Sequence, residues 1–309
     1  MISIPRRALA LFAGFVLVAS ACTSSTATLP GGMSGPGGST GPGGSTGPNA
    51  QATLNPKDPS SIITQVISGG PAVKSFHIKI EVNGTIKSAA LSGADSSLGG
   101  MALGDIKLDG TAIEGDVDVA NQAAHLALTV PPIAAMGNVP ITGDVILKDA
   151  ALYYKIDLLG PKYTKTDLGS LTSDLPVEVP TPGASGLAGV QDEVTKLRQQ
   201  LDDAGVKATL VGVEKVGGKD AYHINLSIPI DKLNEQIAGA AASAASNMKI
   251  DSAAVDFWIY TDNNLPAKAE IKAASSTVGN LDVIVTITDY DKPVTVSAPP
   301  ASQIATPAP

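Results

Sequence analysis

The chain has 309 residues, 43% of them hydrophobic and 16% charged, enough apolar material for a sizeable core. A net charge of -8 and an isoelectric point near 4.8 argue against nucleic acid, whose phosphate backbone needs a basic face. The single cysteine, Cys22, leaves no pair for a disulfide and no cysteine cluster for zinc.

Arg6 and Arg7 precede an almost unbroken apolar run over residues 8–18, then Ala19, Ser20, Ala21 and Cys22. A positive start, a short apolar run and a small-residue cleavage site describe an export signal over residues 1–21. The run is shorter than the roughly 20 apolar residues of a membrane-spanning helix. Small residues leading into Cys22 resemble the bacterial lipobox, with Ala19 where leucine is commoner. That resemblance implies an acyl (palmitate-type) anchor on Cys22, holding the chain on the extracytoplasmic face of a cell membrane.

Residues 22–55 read as the anchor and a linker, because repeats of Gly, Pro, Ser and Thr offer nothing apolar to offset the entropy of ordering. Residues 299–309, rich in Pro and Ala, read as a second disordered end. Between them residues 56–298 form one domain. A short helix is expected over residues 58–67, ending before Gly69 and Gly70. Phe76, Ile78, Ile80 and Val82 then alternate with Ser75, His77, Lys79 and Glu81, the period of two of a half-buried strand. The same alternation recurs at Ala124, Leu126, Leu128 and Val130, and at Tyr222, Ile224, Leu226 and Ile228. Further strands are expected over residues 106–119, 145–156, 208–214, 255–260, 267–273 and 281–290. Asn83-Gly84, Gly217-Gly218 and Asp262-Asn263-Asn264 read as turns. Two more helices are expected over residues 189–204 and 230–248. One polar face on the alternating strands indicates antiparallel pairing, so the fold class is α+β, a large antiparallel sheet with about three helices on one face.

The third helix carries Leu233 and Ile237 and then only small residues from Ala238 to Ser246. Such a helix over a curved sheet either leaves a dry apolar cavity or approaches the sheet closely; both readings stand on the residues alone. The three histidines, His77, His125 and His223, fall on the polar side of their strands and at no metal-ligand spacing. No nucleophile-elbow spacing and no phosphate loop after a strand occurs. No enzyme activity, cofactor or metal is therefore expected.

Three stretches carry a family resemblance. Val73-Lys74-Ser75-Phe76-His77 opens the domain. Asp149 to Tyr154, then Tyr163 to Leu168, lie in its middle. Phe257 to Tyr260, Leu265 to Ile271 and Thr288 to Val296 close it. Their order and spacing resemble the LppX/LprAFG lipoproteins of mycobacteria. The resemblance implies a LolA/LolB-like fold: a strongly bent antiparallel half-barrel with helices over its concave face and an apolar pocket between. It implies an acylated lipid or glycolipid as cargo, and an envelope transporter or acceptor protein as a further partner. The function expected is a membrane-anchored carrier moving such a lipid between envelope layers. Lining residues are then expected among Ile78, Ile80, Val82, Leu126, Leu128, Val130, Ile224 and Leu226, with Leu233 and Ile237 from the helix. The alternative is an envelope interaction or signalling lipoprotein with a solid core and a protein partner.

Overall fold

In the computed structural model the residues described are 73–88, 104–133, 138–168, 205–240 and 249–305, with side chains of the 230–240 helix described through Glu235. Twelve strands form one sheet: β1 Ser75–Ile86, β2 Ile106–Lys107, β3 Thr111–Asp118, β4 Ala123–Val130, β5 Ile141–Lys148, β6 Ala151–Ile156, β7 Thr164–Asp167, β8 Lys207–Val216, β9 Lys219–Ser227, β10 Ser252–Tyr260, β11 Pro266–Ser275 and β12 Gly279–Thr288. One α-helix, α1, spans Ile230–Ala240, and a 3-10 turn spans Ala301–Gln303.

The strand order is β7-β6-β5-β4-β3-β1-β12-β11-β10-β9-β8, with short β2 pairing the end of β1. Every ladder in it is antiparallel. The chain enters at the centre, meanders outward from β3 to the β7 edge, reappears at the opposite edge as β8, and meanders back until β12 meets β1. The sheet is open and curved, as expected when the right-handed twist accumulates over so many strands.

The alternation read from the sequence settles which side chains share a face. His77 pairs Thr288, Ile78 pairs Ile287, Ile80 pairs Val285 and Val82 pairs Val283 across β1 and β12. On the other side of β1, Ile78 pairs Gly115 and Ile80 pairs Ile113. Residues opposite one another point the same way, so the register carries the parity of β1 to both edges.

Several expectations need correction. Asn83-Gly84 is not a turn. β1 runs through it, and Gly84 (φ +128°) faces Gly279 (φ +122°) two pairs away, where a Cβ on either would strike the partner strand's backbone. The strand expected over residues 145–156 is two strands, because Asp149 (φ 52°) and Ala150 (φ 56°) reverse the chain as a two-residue hairpin loop. The strand expected over 106–119 breaks at Asp109-Gly110, where β2 ends and β3 begins. Of the three helices expected, the described residues contain only α1. Residues 58–67 and 189–204, and the small-residue stretch past Ala240, lie outside them. Among the described residues one helix, not three, accompanies the sheet. Gly217-Gly218 and residues 262–264 are turns as read.

The end of the chain also differs from its composition. Val294, Val296 and Ile304 pack on Ile146, Tyr153 and Tyr163. The Tyr163 N–H donates to the Gln303 carbonyl at 2.8 Å, and the Ala305 N–H returns a bond of 2.8 Å to the Tyr163 carbonyl. Residues to Ala305 are thus a strap on the sheet, since the apolar side chains spaced among the prolines find a surface to bury against.

Gly115 and Gly143 sit within β3 and β5 where a Cβ would meet the carbonyl of His125 or Lys155 on the next strand, a close approach only glycine permits. Gly115→Val should cost about 2–3 kcal/mol in urea unfolding. Ala127→Val, on the exposed side of neighbouring β4, should stay within about 0.5 kcal/mol. Equal effects would remove the close approach as a constraint.

Candidate functional site

The two faces of the sheet have opposite chemistry. On one, the register aligns Phe76, Ile78, Ile80 and Val82 of β1 with Leu281, Val283, Val285 and Ile287 of β12. Beyond β12 it continues through Ala269, Ile271 and Ala273 of β11, Val255, Phe257 and Ile259 of β10, and Tyr222, Ile224 and Leu226 of β9. In the other direction it continues through Ile113 and Val117 of β3, Leu126, Leu128 and Val130 of β4, Val145 and Leu147 of β5, and Leu152 and Ile156 of β6. This apolar surface reaches across the sheet from β6 to β9. Polar side chains on it include Thr111 at the start of β3, Ser275 at the end of β11, Tyr222 on β9, and Tyr154, Thr164 and Thr166 beside the β7 edge.

The strand residues singled out from sequence all lie on this face. Val82, Ile224 and Leu226 are buried, whereas Ile78, Ile80, Leu126, Leu128 and Val130 are half-buried. They do not form one cluster. β4 and β9 lie at opposite ends with β1 between them, roughly 30 Å apart along the sheet at 4.8 Å per strand. Leu233 is half-buried on α1, and the Ile237 side chain lies outside the described residues. The strand expected over residues 281–290 is β12, but none of its residues was singled out for the site, because the run Leu281-Asp282-Val283-Ile284-Val285 carries Ile284 on the polar face and so blurs the alternation. Val283 and Val285 lie at the centre of the apolar face.

The opposite face is ionic. Lys79 pairs Glu81 at 3.0 Å, Lys155 pairs Asp144 at 3.0 Å, and Lys268 pairs Glu270 at 2.6 Å with Lys272 on its other oxygen. All three histidines are here. His223 lies between Glu214 (2.9 Å) and Asp256 (2.8 Å) and stacks on Trp258 with ring centroids 4.3 Å apart. The Trp258 indole N–H donates to the other Glu214 oxygen at 2.9 Å, and the Lys268 ammonium sits 4.4 Å from the indole centroid. These bonds hold Glu214 below the usual carboxylate range, the Trp258 bond most. The array clamps β8, β9, β10 and β11 together and presents no nucleophile beside its histidine. No group of three or more His, Cys, Asp or Glu side chains among the described residues is arranged to hold a metal.

Comparison with solved structures gives the lipoprotein LppX of Mycobacterium tuberculosis at 18% identity and TM-score 0.36, over 73% of this chain and 90% of that one. It also gives LprF of Mycobacterium bovis at 13% identity and TM-score 0.37, over 79% and 94%. The chain is similar in structure to LppX and LprF. A domain of an outer membrane lipoprotein-sorting protein from Vibrio parahaemolyticus follows at 7% identity and TM-score 0.22, over 71% and 87%. No family model and no curated protein sequence matches the chain. No helix among the described residues is long and apolar enough to cross a membrane.

His77 gives the polar face a pH dependence. Partial burial pulls its pKa down, but hydrogen bonds to Asp116 (2.8 Å) and Glu114 (3.3 Å) and their charges outweigh this, so the net shift is upward from 6.5. A histidine whose folded pKa is raised stabilises fully below its unfolded value and loses that contribution as pH rises through the folded one. The stability gap between the native chain and His77→Gln should therefore be widest near pH 6 and narrow above about pH 8. Solvent at the half-exposed partners limits it to about 0.5–1 kcal/mol. Urea midpoints across that range check this, and a gap that ignores pH would remove the ion pair as its cause.

Proposed function

We propose that the chain is an acyl-anchored lipoprotein of the extracytoplasmic membrane face that binds the acyl chains of a lipid or glycolipid on its apolar sheet face and carries it between envelope layers. One observation supports this reading most: an aliphatic surface reaching from β6 to β9 whose side chains are in large part only half-buried by the described residues. A solid core would bury such residues nearly completely, as it does Ile224 at 0% exposure. The physics of the proposed cargo fits. Burying a methylene is worth about 0.8 kcal/mol, so one sixteen-carbon chain yields on the order of 10 kcal/mol before ordering costs. Aliphatic side chains bind any saturated chain about equally, so the headgroup would stay at the rim in water. The reading is of binding and transfer without bond chemistry. The export signal and Cys22 supply the location, keeping the domain beside the membrane from which cargo is taken.

The test uses a Cys22→Ser chain exported by a lipid-rich actinobacterial host, analysed by native mass spectrometry with lipid extraction. Co-purifying acylated species are expected on the parent chain and on Thr129→Glu, a change on the exposed polar side of β4. Val283→Glu, at the centre of the apolar face, should lower occupancy at least tenfold while far-ultraviolet circular dichroism is kept. A clean unloaded mass for the parent, with no uptake of added diacyl lipid, would sink the carrier reading and favour a solid domain with a protein partner.

A further inference from the structure

Six large apolar side chains stand exposed among the described residues, and four of them, Val139, Tyr154, Leu158 and Leu159, gather at one corner of the sheet. Leu158 and Leu159 occupy the turn after β6 and are 52% and 79% exposed. Val139 precedes β5. The Asp157 N–H donates to the Thr142 carbonyl at 2.9 Å, one pair beyond the last ladder pair of Gly143 with Ile156, so the turn starts at the same end of the sheet where β5 begins.

The turn is built rather than loose. The Leu159 and Gly160 N–H groups both donate to the Ile156 carbonyl, at 2.8 and 3.2 Å. The Thr142 hydroxyl donates to Asp157 at 2.5 Å, and Lys155 pairs with the same carboxylate at 3.4 Å. The acidic group at the base is thereby engaged, while exposed Lys162 beyond the leucines makes no ion pair with a described residue. A hollow of about 300 Å³ lies directly behind, lined by Tyr154, Ile156, Leu159, Pro161, Lys162 and Ala305. Ile156, Ile141 and Val130 are the last apolar-face residues of β6, β5 and β4 at this end, so the corner is continuous with the apolar face.

We propose that this corner is the part of the domain that docks on a bilayer, with Leu158 and Leu159 entering the interfacial layer and Lys162 meeting lipid phosphate. Adjacent exposed leucines on a pinned turn, beside a lysine that makes no ion pair with a described residue, have the chemistry of a membrane interface: apolar groups for the acyl boundary and a cation for the headgroups. The docking rests on the Cys22 anchor read above. That anchor makes the encounter intramolecular, at effective concentrations on the order of mM for a short linker, so a small contact suffices. Docked this way, the chain would set the end of its apolar face against the lipid surface, and a lipid could pass from one to the other without crossing water.

The experiment uses the full lipidated chain in vesicles of phosphatidylethanolamine and phosphatidylglycerol at 3:1, with a nitroxide on the acyl chains of a minor lipid. Cys22 is the only cysteine and, on the proposed reading, carries the acyl anchor, so an introduced cysteine is then the sole reactive thiol. An environment-sensitive dye goes on Leu159→Cys or on Val213→Cys, another exposed apolar position at the opposite edge, on β8. The Leu159 label should be quenched at least twofold more than the Val213 label, and adding Leu158→Asp should halve the difference. Equal quenching at both positions, on protein that floats with the vesicles, would overturn the docking and leave the anchor intact. Protein that fails to float would overturn the anchor, and the docking with it.

Discussion

The rest of the structure depends on the ladder between β1 and β12. Ten paired positions, from His77 with Thr288 to Ile86 with Gly279, join the start of the described domain to its last strand. Without it the chain would hold two separate meanders, β3 to β7 and β8 to β12, each with its own apolar face and a bare edge strand. With it the two faces become one, because Ile78, Ile80 and Val82 stand opposite Ile287, Val285 and Val283. A slip of one residue would set apolar side chains of one meander against the charged face of the other. The pairing joins residues some two hundred positions apart, so its loop-closure entropy must be overcome before its contacts contribute, and folding should be slow for the domain's size. Asp291 helps fix the junction, accepting the Lys74 N–H at 2.7 Å while its own N–H donates to the Ser75 carbonyl at 2.9 Å.

The ionic face answers a problem the apolar face creates. A sheet with one strongly apolar side would bury both sides if the other were apolar too, or stack on a second copy. Rows of paired charges, Lys79 with Glu81, Lys155 with Asp144, and Glu270 between Lys268 and Lys272, keep that side hydrated. Glu270 is largely buried, and its loss of solvation is outweighed by its two lysines, which hold it below the usual carboxylate range. Isolated surface pairs contribute little to stability. Their larger effect here is to decide which face meets water, and so which face is free for an apolar ligand.

How much of this was legible in the sequence follows from what sets each feature. Alternation is local, so β1, β4 and β9 and the shared face of their apolar residues could be read from residue order alone. What failed was set by neighbours distant in the chain. Asn83-Gly84 has the composition of a turn, yet Gly84 serves a close approach to Asn280 that no local pattern reveals. Asp149-Ala150 turns the chain without a glycine, so the hairpin between β5 and β6 looked like one strand. The Pro- and Ala-rich end looked disordered because the surface that receives Val296 and Ile304 is assembled from β4, β5 and β6. The apolar face as a set of neighbours was likewise hidden, since only strand order tells that Val283 touches Ile271 and Val82.

That strap at the end of the chain bears on the proposed site by its position. It lies on the ionic side, where it covers an apolar break in that surface, Ala123, Ile146, Ala151 and Tyr153, with Val294, Val296 and Ile304. The aromatic cluster around Trp258, Tyr260 and Leu265, held by the Tyr290 hydroxyl on the Pro266 carbonyl at 2.6 Å, consolidates a different part of the sheet. Where β1, β12 and β11 adjoin, the apolar face is lined by Ile, Val and Ala, and aromatic residues are scarce. Short branched side chains on a pleated surface make a smooth floor without hydrogen-bonding groups, a surface that accepts acyl chains and rejects headgroups. Such a floor cannot distinguish one saturated chain from another. On the proposed carrier reading, choice among lipids falls to polar groups that border the floor, among them Thr111 at the start of β3 and Tyr154, Thr164 and Thr166 beside the β7 edge, the last three on the side of the sheet where the exposed leucines stand.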